Sequence, residues 1–280
     1  MIITPGKEIR FSKLFNSKYQ KAIIVALDHG GGGVYKGLEN FEMILKKIIA
    51  AKPDAVMLNL GMLRKFSYLF QGKDAPAVIA SLDINGEEDT MPEILSIDPQ
   101  GVKIGSVKEA LRLGADAVKL LITWGRNSET FQNRTIEWAG EVVQECSYWN
   151  IPLIIEPCLW GRRVPKDLQK DPKLMADICR ISAEIGADML KVDYTGDKES
   201  YKKLIDSSVI PVLILGGRKR SSAQDFISFV VDGINAGAVG IVSGRSVYQT
   251  LDIDKMLDGL REAVYKKDVK KAIQMIEGIY

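Results

Sequence analysis

A chain of 280 residues, 46% hydrophobic and 26% charged, has the balance of a globular protein; it is long for one small domain but suits an α/β barrel folded as a single unit. Its 38 basic and 36 acidic residues leave a net charge of +2, which argues against wholesale binding of nucleic acid or membrane surfaces. The single histidine, His29, excludes sites that need two or three imidazole ligands. The separated cysteines Cys146, Cys158 and Cys179 form neither a CxxC pair nor a disulfide framework.

Residues 1–8 turn charged before an apolar signal region could form. No apolar run approaches the roughly 18 residues of a membrane span, so a cytoplasmic protein with reduced thiols is expected. From there the chain alternates. Short, mostly continuous apolar runs fall at 22–27, 55–60, 77–82, 117–122, 152–155, 189–192, 211–215 and 239–242. Continuous runs are the mark of parallel strands buried on both faces. Segments of helical period lie between them. Residues 38–51 place Phe41, Ile44, Leu45, Ile48 and Ile49 on one face, and 174–185 do the same with Leu174, Ile178, Ile181 and Ile185. Strand–helix alternation means a parallel sheet, and eight runs in this length predict a closed (β/α)8 (TIM) barrel. The barrel is expected to form one domain over 1–280. The alternative, an open doubly wound sheet, needs fewer strands and a glycine-rich first turn leading straight into a helix.

An internal repeat supports the barrel. Leu113-Gly-Ala-Asp-Ala-Val-Lys119 matches Ile185-Gly-Ala-Asp-Met-Leu-Lys191, with degenerate copies at 236–241 and 51–56. In the three copies that carry it, at Gly114, Gly186 and Gly237, glycine stops a helix in the left-handed conformation and a strand starts at once. The region 83–101 reads as a long loop, and 253–280 as a helical extension covering the outside of the barrel.

Barrels place their chemistry where strands end. Lys191 lies inside Met189-Leu-Lys-Val192. Burying a charged amine costs several kcal/mol unless it is paired or neutral. Burial favours the neutral form, a nucleophile toward carbonyls; a salt bridge to a nearby carboxylate accounts for the position equally well. Lys119 holds the same place in its own repeat. It is either a second cation that favours a neutral neighbour and binds an anionic substrate group, or a residue that side-chain alternation turns outward. Glu156, after the fifth run, suits general acid–base work or simple pairing with either lysine. Asp28, after the first run, can polarise a hydroxyl or fix a lysine. His29 beside it reads as readily as a structural hydrogen-bonder. Ser81 and Asp83 end the third run. Gly216-Gly217 and Ser243-Gly244-Arg245 end the seventh and eighth, where barrels often hold phosphate. The four glycines 30–33 lack a GxGxxG frame and read as a loop over the barrel mouth.

Leu-Asp-His-Gly at 27–30, Ala-Asp-Met-Leu-Lys-Val-Asp-Tyr-Thr-Gly-Asp at 187–197, Gly-Gly-Arg at 216–218 and Gly-Arg-Ser-Val-Tyr-Gln at 244–249 resemble the class I (Schiff-base) aldolase superfamily, over roughly residues 20–250. The resemblance implies that Lys191 forms the Schiff base. The archaeal-type fructose-bisphosphate branch carries a tyrosine at the end of the fifth strand. Here Ile-Glu-Pro-Cys-Leu-Trp-Gly stands there, with no tyrosine. Glu156-Pro157 and Lys119-Leu-Leu are instead similar to the tagatose-bisphosphate and sulfofructose-phosphate aldolase branch, where a glutamate transfers the proton beside a fourth-strand lysine.

The resemblance thus implies cleavage or formation of a phosphorylated ketose, with dihydroxyacetone phosphate or a related three-carbon phosphate as one product. Lys191, Glu156, Lys119 and Asp28 would be catalytic, and Gly216, Gly217, Ser243, Gly244 and Arg245 would hold phosphate. Neither a metal nor an organic cofactor is expected, because the iminium is the electron sink. The expected partner is a phosphorylated sugar, with no nucleic acid and no membrane, and the chain is expected to form a homo-oligomer. The alternatives are another Schiff-base carbon-transfer enzyme, such as an amino-hept-ulosonate synthase, and a phosphosugar-binding sensor without turnover.

Overall fold

Each apolar run is a strand in the computed structural model, which describes residues 4–84 and 102–280. The strands are β1 (Ala22–Ala26), β2 (Ala55–Asn59), β3 (Ala77–Ser81), the two-residue β4 (Asp83–Ile84) and β5 (Val102–Lys103), β6 (Ala117–Thr123), β7 (Leu153–Cys158), β8 (Met189–Val192), β9 (Val212–Leu215) and β10 (Gly240–Ser243). The eight longer ones close into a barrel in the order β1-β2-β3-β6-β7-β8-β9-β10, every neighbouring pair parallel. At the seam, Gly240 opposite Ala22 is obligatory, since a Cβ there would lie 2.2 Å from the Ala22 carbonyl oxygen. The expected loop 83–101 begins as β4, which pairs antiparallel with β5; residues 85–101 lie outside the described residues.

Side chains alternate along each strand, and this parity decides what the barrel encloses. Ile24, Met57, Ile79, Ile154, Met189, Leu213 and Val242 fill the interior. Their neighbours Ile23, Val56, Val78, Ile155, Leu190, Ile214 and Ile241 pack outward under the helices. Carried two residues toward the strand ends, the inward positions become Ser81, Lys119, Glu156 and Lys191. Side-chain alternation therefore points both lysines inward and turns neither outward.

Strand β7 runs further than its apolar run, through Glu156 and Pro157 to Cys158. Glu156 lies within the strand, held in the barrel by neighbours on both sides. A second difference concerns the helix over 174–185. Helix Pro172–Ile185 buries Met175, Ile178, Cys179 and Ser182, whereas Leu174 and Ile181 are 37% and 42% exposed. The buried stripe includes a cysteine and a serine, which an apolar period does not count. The helix Phe41–Ala50 buries Ile44, Leu45 and Ile48 as expected.

The repeat's aspartates work at the opposite end from the chemistry. Asp54 accepts the Ile23 N–H (2.6 Å), Asp116 the Val78 N–H (3.1 Å) and Asp188 the Leu153 N–H (2.8 Å). Each aspartate at the start of one strand thus clamps the start of the strand before it in the barrel. Helix α1 (Pro5–Ser12) and the turn after it close that end. Lys7 pairs with Asp188 and Lys13 with Asp116, each at 2.9 Å, and Leu14 is fully buried in the interior cluster. The tail forms helices Ile253–Arg261 and Val269–Ile276, which pack on Phe41–Ala50 and on Ala223–Ala236, outside the barrel. No described helix is long and apolar enough to cross a membrane.

Asp188 contributes both a clamp and a counter-charge, and it is far from the strand ends. Asp188→Ala is expected to lower stability by about 2–3 kcal/mol in chemical denaturation, the cost of losing charge-assisted hydrogen bonds at a mostly buried site. Substrate binding should be unchanged.

Candidate active site

One carboxylate oxygen joins the two lysines. Glu156 Oε2 accepts a hydrogen bond from Lys191 Nζ at 2.9 Å and lies 3.2 Å from Lys119 Nζ. Lys119 Nζ also reaches Asp83 Oδ1 (3.2 Å) and Asp28 Oδ2 (3.5 Å). Asp28 is fixed in turn: Ser81 Oγ donates to its Oδ2 at 2.7 Å, and Asn59 Nδ2 donates to its backbone carbonyl at 2.8 Å. The second oxygen of Asp83 accepts the Leu121 N–H. Lys119, Asp83, Glu156 and Lys191 are 2%, 2%, 3% and 7% exposed, so these charges must satisfy one another.

The cluster separates its members electrostatically. Burial alone would raise the Glu156 carboxyl, but Lys191 and Lys119 outweigh it and hold the group below the usual carboxylate range. Burial is likewise outweighed at Asp28, by Lys119, Lys191 and His29 and by the Ser81 hydroxyl, so that carboxyl also falls well below its ordinary value. At Asp83 burial wins over Lys119 and the Leu121 N–H, and its carboxyl is raised. At Lys119 burial disfavours the cation, but Asp83, Glu156 and Asp28 together push the ammonium well above its ordinary value. Lys119 is thus a fixed cation beside an ionised glutamate. That glutamate accepts the hydrogen bond of Lys191 Nζ, the geometry a proton transfer between the two requires.

Above this layer, Leu121, Cys158 and Leu215 form a small apolar cluster with Trp160, which keeps the local dielectric low. Burial pushes the Cys158 thiol well above its ordinary range, with Glu156 and Asp193 adding to the effect, so it stays protonated. Tyr194 packs its ring against Tyr201 and Phe229 in the helical layer and is directed away from the amine.

The glycine-rich strand ends meet the same cavity. Its wall includes Lys191, Glu156, Lys119 and Asp28, and also Gly217, Gly244 and Arg245. Gly216 and Ser243 do not line it; they pack on each other, a Cβ on Gly216 lying 3.0 Å from the Ser243 side chain. The Gly216 N–H donates to the Val242 carbonyl at 2.8 Å, so it serves the β9–β10 ladder. Gly244 is required by close approach: a Cβ would come within 2.5 Å of both the Ala26 oxygen and the His29 ring. That ring packs edge-on to Tyr35 and Tyr248, at 5.6 and 5.8 Å between centroids, so His29 shapes the wall. Gly30, Gly31 and Gly32 lie in a short 3-10 turn, Asp28–Gly32, and Gly33 ends it with φ +109°.

In the sequence Ser81 and Asp83 are polar residues at a strand end with no partner in view. Parity was the available signal, since Ser81 pairs in register with Lys119 and Asp83 is the next inward position.

The closed barrel and a buried lysine–carboxylate cluster at its C-terminal mouth define a (β/α)8-barrel aldolase. More narrowly, the chain belongs to the DeoC/LacD family of aldolases, which it matches over residues 22–250. It is 32% identical over 276 residues to an uncharacterised aldolase of Saccharolobus solfataricus, an alignment covering 97% of this chain and 99% of that one. It is 26% identical over 275 residues to the 2-amino-4,5-dihydroxy-6-oxo-7-(phosphonooxy)heptanoate synthase of Streptomyces griseus, covering 98% and 95%. Among solved structures it resembles an archaeal fructose-1,6-bisphosphate aldolase whose catalytic lysine is covalently bound to the carbinolamine intermediate. The TM-score is 0.79 at 28% identity, covering 93% of this chain and 99% of that one.

Asp83→Asn removes one of the three carboxylates that keep Lys119 charged. Catalytic efficiency should fall by about 10- to 100-fold, the rate equivalent of one charge-assisted hydrogen bond. Losing a negative neighbour favours the neutral amine, so the Lys119 pKa drops and the alkaline limb of the pH–rate profile moves to lower pH. A loss of rate with an unmoved alkaline limb would mean that Asp83 acts on folding alone.

Proposed function

We propose that this chain is a metal-independent class I aldolase acting on a phosphorylated ketose, with Lys191 as the Schiff-base residue. The observation that carries this reading is the 2.9 Å contact between Lys191 Nζ and Glu156 Oε2 inside the barrel. Glu156 accepts a proton from the ammonium, and the freed lone pair adds to the ketone carbon to give a carbinolamine. Glu156 returns that proton to the carbinolamine hydroxyl, which leaves as water, so that an iminium forms and the carboxylate is free again. In cleavage Glu156 takes the proton of the substrate hydroxyl, and the electron pair of the breaking C–C bond flows into the iminium, forming an enamine and releasing an aldehyde. The same proton returns to the enamine carbon, and hydrolysis regenerates the amine. Lys119 and Asp28 orient Glu156 and a substrate hydroxyl. Gly217, Gly244 and Arg245 hold the phosphate, with Gly216 and Ser243 as the floor that supports them. The three carboxylates converge on an ammonium group, which supports chemistry without a metal.

The pairing of Glu156 with Lys119 supports the tagatose-bisphosphate and sulfofructose-phosphate type of site over the tyrosine type. The Streptomyces relative favours a second reading. Its name describes a seven-carbon acid whose last three carbons bear a hydroxyl, a ketone and a phosphonooxy group, which is a dihydroxyacetone phosphate unit. Both readings therefore share the ketone donor and differ in the aldehyde. A 2-amino-4-oxo acid as the preferred acceptor would select the second reading, and a sugar aldehyde the first.

Borohydride with dihydroxyacetone phosphate, in the presence of EDTA, is expected to add mass to the peptide containing Lys191. A label on Lys119, or labelling abolished by the chelator, would overturn the assignment.

Glu156→Gln keeps the shape of the side chain and removes its titration. Turnover should fall by about 10²–10⁴-fold, the usual contribution of a general acid–base group, with a trappable adduct retained. Normal turnover would mean that the proton travels through another group.

Arg245→Ala should raise KM for the phosphorylated substrate much more than it lowers kcat, the pattern of lost uniform binding. An unchanged KM would place the phosphate elsewhere.

A further inference from the structure

The segment beyond the last helix reaches the strand ends that the proposed mechanism assigns to phosphate. The Arg220 backbone N–H, in the loop after β9, donates to Tyr280 Oη at 3.0 Å. The same oxygen lies 3.4 Å from Ser246 Oγ, in the short helix Arg245–Tyr248 after β10. The Tyr280 ring stacks on Phe226, at 5.4 Å between centroids, and Lys219 Nζ sits 4.8 Å from the ring centroid. Lys219 Nζ also donates to the Gln249 carbonyl at 3.1 Å, and the Leu251 N–H donates to the Ile279 carbonyl at 3.1 Å. One phenol thus bridges the two segments that carry Gly217 and Arg245.

We infer that Tyr280 is a positioning residue for the phosphate of the substrate: it fixes the glycine loop after β9 against the helix bearing Arg245, so that both meet one anion in a preformed site. The physical need is plain. Gly217 has φ +67°, in a loop with little side-chain packing at that point, and ordering such a loop at the moment of binding would weaken affinity. A hydroxyl shared between the two segments removes that cost beforehand. Tyr280 does not line the cavity, so it acts through Arg220 and Ser246 and not by touching substrate.

This inference rests on the proposed aldolase reading, and the test separates the two. Wild type, Tyr280→Phe and Tyr280→Leu are compared by borohydride trapping over a range of dihydroxyacetone phosphate and, separately, of dihydroxyacetone, with melting temperatures measured alongside. Tyr280→Phe keeps the ring and loses the bridge. Its half-saturating dihydroxyacetone phosphate concentration is expected to rise about 3- to 10-fold, as for one lost hydrogen bond, with the maximal trapping rate unchanged. Tyr280→Leu should raise it further. Saturation by dihydroxyacetone, which has no phosphate, should not move in either variant. Unshifted saturation in Tyr280→Phe, or equal shifts for the two ketones, overturns the inference while leaving the aldolase reading standing. A wild-type protein that traps neither ketone overturns the aldolase reading and this inference together.

Discussion

A lysine pair bridged by a single glutamate oxygen is the constraint around which the rest of this barrel is arranged. Lys119 and Lys191 come from strands on either side of β7, and Glu156 stands between them. Two ammonium groups this deep in a protein would repel each other and lose hydration worth several kcal/mol each. They are tolerated because each finds carboxylate oxygen within 3.2 Å, and because Ser81, Asn59 and the Leu121 N–H hold the carboxylates in place. Such a cluster stabilises little on balance against an apolar core of the same volume. Its retention is better explained by chemistry than by folding.

The stability that this cluster does not supply comes from the opposite end. There the aspartates of the repeated Gly-Ala-Asp unit clamp adjoining strands, and α1 closes the barrel through Lys7 and Lys13. The same αβ unit thus carries two devices a few residues apart. Its aspartate sits where the strand begins and serves the scaffold. Its lysine sits three residues on, pointing into the barrel, and serves the mouth. Asp188 and Lys191 show the pairing most directly, as do Asp116 and Lys119. Repetition of one unit suits the barrel because the strand pairs β1–β2, β3–β6 and β7–β8 meet in equivalent register, with Ile24, Ile79 and Ile154 opposite Ala55, Ala117 and Met189.

Much of this is legible in the amino-acid sequence. Continuous apolar runs and left-handed glycine stops specify the barrel, and the inward lysines stand out because a charge inside an apolar strand demands a reason. What was not legible is instructive. The fifth apolar run stops at Ile155 and puts Glu156 at the strand's end, yet β7 continues through Glu156 and Pro157 to Cys158. The role of Asp83 is hidden because its partner, Lys119, is 36 residues away, and local pattern carries no information on that contact. The apolar period puts Leu174 and Ile181 on a face with Ile178, whereas the helix buries Cys179 and Ser182 beside Ile178. Gly216 stands where an anion donor is expected, but its N–H serves the barrel ladder. In each case tertiary contacts settled what spacing left open.

The arrangement also accounts for why three carboxylates accompany two lysines. In the proposed cycle Glu156 gains and loses a proton repeatedly. If Glu156 were the sole partner of Lys119, each protonation would strand a buried cation, and the penalty would add to the barrier. Asp83 and Asp28 remove that difficulty, since they stand 3.2 and 3.5 Å from Lys119 Nζ and are held by Leu121, Ser81 and Asn59 and not by Glu156. Transfer of a proton from Lys191 to Glu156 then moves charge by about 3 Å within the cluster and leaves its total unchanged. An enclosed site with fixed dipoles and an apolar roof needs no rearrangement of solvent for such a step. A tyrosine in the place of Glu156 would carry no charge for Lys119 to hold. Lys119 and Asp83 are therefore parts of the same solution as the glutamate, and replacing any one of the three changes what the other two must do.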